Sequence, residues 1–88
     1  MKDKLLKIIN HYGLENQREY LGREYQELQD ELYRYVFLGG EADLLTEIAD
    51  VFVLSLQFLY EYGYSSEELI EEMNFKINRQ MDRIKHEK

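Results

Sequence analysis

Between Ile48 and Tyr60 only Asp50, Ser55 and Gln57 are strongly polar. The stretch falls inside a helical pattern running from about 41 to 62, and a helix that is apolar nearly all round must be buried on most sides. The chain has 88 residues, which makes one domain over 1–88 but leaves too little material to surround such a helix. Phe52, Leu56, Leu59 and Tyr60 are therefore expected at a subunit interface, where aromatic side chains are enriched. Asp50 is the anomaly of the stretch. An unpaired carboxylate in apolar surroundings carries a heavy desolvation cost, and Glu47, one turn earlier, has the same sign. Either a cation from another helix pairs with Asp50, or a metal ion does.

The remaining elements also read as helices. Leu5, Ile8, Ile9 and Tyr12 stand at helical spacing over 2–12, and Gly13 ends that run. A second helix, about 15–37, carries the stripe Leu21, Tyr25, Leu28, Leu32 and Tyr35/Val36. Gly39-Gly40 breaks it, and Glu41 and Asp43 suit the positive end of the third helix. Gly63 closes the third helix. Ser65 and Glu68 form a capping box for a fourth, about 66–86, with the stripe Leu69/Ile70, Met73, Ile77, Met81 and Ile84. There is no proline to interrupt any of them. The expected fold is all-α, a four-helix bundle-like arrangement completed by oligomerisation, with a homodimer or homotetramer as the assembly.

Charge and composition narrow the function. The formal net charge is −7, from 18 acidic against 11 basic side chains, which argues against a nucleic-acid-binding protein. A helix-turn-helix is disfavoured further by the lack of a basic recognition helix after a short turn. With no cysteine, disulfides and thiolate metal sites are excluded. No apolar run approaches a membrane span and no secretory pattern opens the chain, so no membrane partner and a cytoplasmic location are expected.

The acids are regularly placed. Glu24 and Glu27 are three residues apart on the second helix, and Glu47 and Asp50 repeat the spacing on the third. At that spacing both side chains of a pair leave nearly the same face. Taken alone, Glu24, Glu27 and Glu31 could be a solvated acidic face. Two such pairs on antiparallel helices gather four carboxylates, and a hard divalent cation between them relieves the repulsion. On the fourth helix Lys76, Arg79 and Arg83 form a basic stripe with Asn78 beside it. Acids at that helix's start and bases at its end follow the helix dipole, which alone could account for them. The stripe also suits a polyphosphate whose remaining oxygens a metal holds. Together these features point to a magnesium-dependent hydrolase of a phosphate-rich substrate.

The two motifs, Glu24-Tyr25-Gln26-Glu27-Leu28 and Glu47-Ile48-Ala49-Asp50-Val51, resemble the ExxE and ExxD signature of the MazG-like, all-α nucleoside triphosphate pyrophosphohydrolases. Gln17 ahead of the first motif, EIADVFVLSLQFLYEYG around the second and FKINRQMDRI near the end extend the likeness over about residues 12–85, nearest to small phage-type members. Many members carry a further glutamate before the first pair, where this chain has Arg23. The resemblance implies hydrolysis of the α–β phosphate bond of a nucleoside triphosphate to the monophosphate and pyrophosphate. It implies magnesium, with manganese as the alternative ion, held by Glu24, Glu27, Glu47 and Asp50. It also implies Glu24 or Glu27 as general base, and Lys76, Arg79, Asn78 and Arg83 as phosphate contacts. A tyrosine stacking on the base is compatible with it, and the sequence singles out none of the eight.

Two other readings stand beside this one. A catalytically silent helical dimerisation module would carry acidic pairs that bind no metal. Phosphoribosyl-ATP pyrophosphatase shares the size and fold, but the stretches expected before its first acidic motif are missing.

Overall fold

The computed structural model describes residues 1–39 and 43–87, and among them there is no strand. The first helix, α1, spans Lys2–Tyr12 and turns Leu5 and Ile9 inward. It ends where expected, at Gly13, whose φ of 91° is open to glycine and strained for other residues. The Gly13 N–H closes the last turn on the Ile9 carbonyl at 2.8 Å. The second helix, α2, follows at once over Leu14–Tyr33, and the Asn16 side-chain amide donates to the free Tyr12 carbonyl at 2.8 Å.

The inward face of α2 differs from the expected stripe. Gln17 is buried, and Leu21, Glu24, Leu28 and Glu31 are half-buried behind it, whereas Tyr25 is 53% exposed. The true seam has the same alternation of four and three residues, rotated so that two glutamates replace tyrosine on the inside. Beyond Tyr33 the chain winds as a π-helical turn over Arg34–Leu38. Its wider winding breaks the phase of the stripe, so Tyr35 and Val36 face solvent. Gly39, in the left-handed conformation at φ 68°, returns its N–H to the Arg34 carbonyl and ends the element. Gly40 and Glu41, the other expected markers of this turn, lie outside the described residues.

The third helix, α3, spans Leu44–Glu61 and is capped by Asp43, whose side chain accepts from the Thr46 N–H at 3.3 Å. It packs against both α1 and α2 and supplies Val51 and Leu54 to a core completed by Leu5 and Ile9. Ser55 satisfies itself by donating to the Val51 carbonyl at 2.8 Å, so a hydroxyl costs this apolar helix little. The opposite side of α3 is uncovered: Phe52 is 55% exposed, and Leu56, Leu59 and Tyr60 are half-buried.

The fourth helix, α4, spans Ser66–His86 and opens with the expected capping box. The Ser65 hydroxyl accepts from the Glu68 N–H and the Glu68 carboxylate accepts from the Ser65 N–H, each at 3.1 Å. Substantial helix packing is confined to α1, α2 and α3; α4 stands clear of it. Its stripe of Ile70, Met73, Ile77, Met81 and Ile84 is exposed throughout. The radius of gyration is accordingly 16.0 Å, against about 12 Å for a compact chain of this length. None of the described helices is long and apolar enough to cross a membrane.

Candidate functional site

Two contacts fix how α2 and α3 face each other. The Gln17 Nε2 donates to Gln57 Oε1 at 2.8 Å in the buried interface. Seven residues further along α2 is Glu24, and seven residues back along α3 is Asp50. The helices are therefore antiparallel, and the step from the amides to the acids is two turns, about 10.5 Å of rise. Both expected acidic pairs land at one height, where the α2 seam carries glutamates.

Carboxylate oxygens of Glu24, Glu27 and Glu47 lie within 4.8 Å of one another. Glu24 and Glu47 are half-buried and Glu27 is exposed, so the cluster is sealed on one side and open on the other. Asp50 stands outside this tight group and is exposed, so the desolvation cost expected of it falls on Glu24 and Glu47 instead, although its charge acts on both. No lysine or arginine among the described residues pairs with any of the four. The ion pairs present are Arg34 with Glu31 at 3.0 Å and Lys76 with Glu72 at 3.8 Å.

The electrostatic consequence is consistent across the cluster. The Glu24 pKa is raised above the ordinary glutamate value, first by loss of hydration and then by the charges of Glu27 and Asp50. The Glu47 pKa is raised as well, again mainly by loss of hydration, then by Glu27, Asp50, Glu31 and Asp43. Glu24 Oε2 and Glu47 Oε2 are buried with no hydrogen-bond partner among the described residues. Two sealed, partnerless carboxylate oxygens in a set of oxygen donors fit a hard divalent cation, which takes such ligands.

The residues expected on the fourth helix are placed differently. Lys76, Asn78, Arg79 and Arg83 are exposed on α4, which does not pack on the acidic interface of its own chain. Arg79 lies 6.0 Å from the Phe75 ring centroid, and Lys76 pairs with Glu72 at 3.8 Å. One chain thus brings together Glu24, Glu27 and Glu47 with Asp50 alongside, and leaves the basic stripe apart.

Next to the acids is a cleft of about 370 Å³ whose walls come from α1, α2 and α3. Glu24 and Asp50 border it, as do Gln17, Gln57, Tyr12 and Tyr20. The sequence did not single out Gln57 as a site residue. Its signal was a polar residue kept inside an apolar helix, seven positions beyond Asp50. Comparisons with protein-family models, curated proteins and solved structures gave no match.

Proposed function

We propose that this protein is a magnesium-dependent nucleoside triphosphate pyrophosphohydrolase of the MazG-like kind, cleaving the α–β phosphate bond. The observation that carries the reading is the pair of buried oxygens on Glu24 and Glu47 that, among the described residues, have no hydrogen-bond partner and no lysine or arginine to balance them. Glu24, Glu27, Glu47 and Asp50 are the residues that would hold the ion. Magnesium, when bound there, supplies charge stabilisation for phosphate oxygens. One of Glu24, which borders the cleft, and Glu27, exposed at the mouth of the cluster, would serve as general base instead of holding the ion.

The assembly belongs to the same reading. The bare stripes of α3 and α4 are covered by a second copy in a homodimer or homotetramer, which also bears Lys76, Asn78, Arg79 and Arg83 as phosphate contacts. Those exposed stripes alone favour a second reading, a silent helical interaction module. A thermal melt separates the two. Millimolar magnesium should raise the midpoint, a non-hydrolysable nucleoside triphosphate should raise it further, and Glu47→Gln should abolish both shifts. A ligand at a hundred times its Kd adds about 2.7 kcal/mol to folding. No shift with either ligand would reject the hydrolase and leave the module.

A further inference from the structure

We infer that α4 pairs antiparallel with α4 of a second copy, about a two-fold axis that passes at Ile77. The inference deepens the assembly part of the proposed function and rests on it for the presence of a second copy. It needs neither metal nor nucleotide.

The stripe on α4 reads the same in both directions. Ile70, Met73, Ile77, Met81 and Ile84 follow one another at steps of three, four, four and three residues. Residue type and spacing are thus both symmetric about Ile77. A two-fold contact imposes this condition, because what stands on one side of the axis in one copy meets what stands on the other side in its mate. Antiparallel pairing at Ile77 sets Ile70 against Ile84, Met73 against Met81 and Ile77 against its own copy. Each layer joins side chains of equal volume. Ile70, Ile77 and Ile84 also stand one heptad apart, the repeat of a seam that faces a single partner helix. The stripe is available for it: all five side chains are exposed, Ile77 by 52%, on a helix that stands clear of the α1, α2 and α3 packing.

Charge decides the direction. A parallel pair would also match apolar residues, each with its own copy. It would set Glu67, Glu68, Glu71 and Glu72 against the same four acids, and Lys76, Arg79, Arg83 and Lys85 against the same four bases. Reversing one helix brings the acidic half to the basic half and opposes the two helix dipoles. Lys85 and Glu67 both leave α4 about 80° round from Ile77, on the same side. The symmetry puts Lys85 opposite Leu69 of the second copy, two positions from Glu67. Lys76 and Arg83 leave on the other side, about 100° and 120° round from Ile77, so the pairing does not cover the basic row. The dipole of a lone helix accounts for the order of charges along α4. It does not account for a palindromic apolar stripe turned to solvent.

The chain has no cysteine, so single introduced thiols report the pairing without background. Ile70→Cys, Ile77→Cys and Ile84→Cys replace exposed side chains, and circular dichroism should show unchanged helix content in each. Under mild oxidation Ile77→Cys should link to itself and run at twice the chain mass. Ile70→Cys or Ile84→Cys alone should not, because antiparallel pairing holds each about 21 Å from its copy. Co-expressed on differently tagged chains, those two variants should link to each other. Self-linking of both Ile70→Cys and Ile84→Cys would mean a parallel pair and overturn the inference. Wild type that sediments as two or more copies, with no link through any of the three positions, would overturn it and leave the assembly on another face. Monomeric wild type would remove both inference and assembly, while hydrolysis keeps its own test with magnesium and nucleotide. Should a substitution itself dissociate the pair, carbodiimide cross-linking of wild type decides. Lys85 and Glu67 are about 27 Å apart along one helix, so a link between them joins two chains. Absence of that link in associated wild type rejects the inference.

Discussion

Gln17 and Gln57, forty residues apart in sequence, share a buried 2.8 Å hydrogen bond near one end of the α2–α3 interface. A polar pair in a small apolar core acts as a register pin. Slipping either helix by one turn would separate the amides and bury both unsatisfied. The same register that joins the amides sets Glu24 against Asp50 and closes Glu24, Glu27 and Glu47 to within 4.8 Å. Packing specificity and site geometry thus share one cause.

Removing one amide should therefore cost more than removing both. Gln17→Leu alone leaves Gln57 buried without its partner, a loss of about 1–3 kcal/mol. The double variant Gln17→Leu/Gln57→Leu restores an apolar contact and should lie closer to wild type than the sum of the single losses. Urea denaturation at constant m-value measures this. Strict additivity would show that the two amides are not coupled.

Glu47→Gln should act in opposite directions with and without metal. In chelator the variant loses a repelled carboxylate and should melt above wild type. In magnesium wild type should gain and the variant should not, with its magnesium affinity lower by at least about tenfold. Melting curves in chelator and in magnesium check both arms. A variant destabilised in chelator would mean that Glu47 already has a favourable partner in the fold.

Much of this site was legible in the sequence, and the reasons are local. Glycines at positive φ, the Asp43 cap and the Ser65–Glu68 box are read from neighbouring residues, so the helix ends fell within a few positions of their observed places. The two acidic pairs followed from helical spacing and an antiparallel turn. Tyr25 is wrongly placed on the inward stripe by the sequence pattern, because Leu21 and Leu28 belong equally to two adjacent stripes. Only the opposing helix decides that the seam passes through Glu24. The position of α4 was also beyond local reading. An apolar stripe says that something covers it, without saying whether that is its own chain.

The raised pKa values of Glu24 and Glu47 fix a sign for the pH dependence. In the folded chain these groups hold protons that the unfolded chain has already released, so metal-free stability should fall as pH rises through about 4.3, the ordinary glutamate value, toward the raised folded values. Magnesium binds the ionised forms, so the stabilisation it adds should grow over the same window. Melts in chelator and in magnesium from acid to neutral pH, repeated with Glu24→Gln/Glu47→Gln, test this. The double variant should flatten the metal-free slope; an unchanged slope would assign it to other groups.

The α4 stripe predicts the state of association. Ile77 lies midway along it, exposed in the single chain. Wild type should sediment as two or more copies of the 10.7 kDa chain. Ile77→Glu puts a charge in the covered surface and should shift the mass toward one copy with helical content retained. A monomeric wild type would leave the stripe uncovered and remove the assembly from the proposal.

Helix lengths make the last prediction. The α3–α4 turn is short, so an α4 lying antiparallel to an α3 starts at that helix's C-terminal end. Measured from Ser66, Lys76 and Arg79 lie about 15 and 20 Å along α4, and measured from Glu61, Asp50 and Glu47 lie about 17 and 21 Å along α3. On one chain the basic stripe and the acids thus lie equally far from the turn. Because α4 does not pack on its own chain's acidic interface, the proposed dimer would present its stripe to the second copy's α3. Glu47→Gln and Arg79→Ala, each inactive alone, should regain about a quarter of wild-type hydrolysis when mixed and allowed to exchange, since half of random dimers are mixed and each has one intact site. Failure to recover, with exchange shown by sedimentation of tagged chains, would place each stripe and its acids in the same subunit.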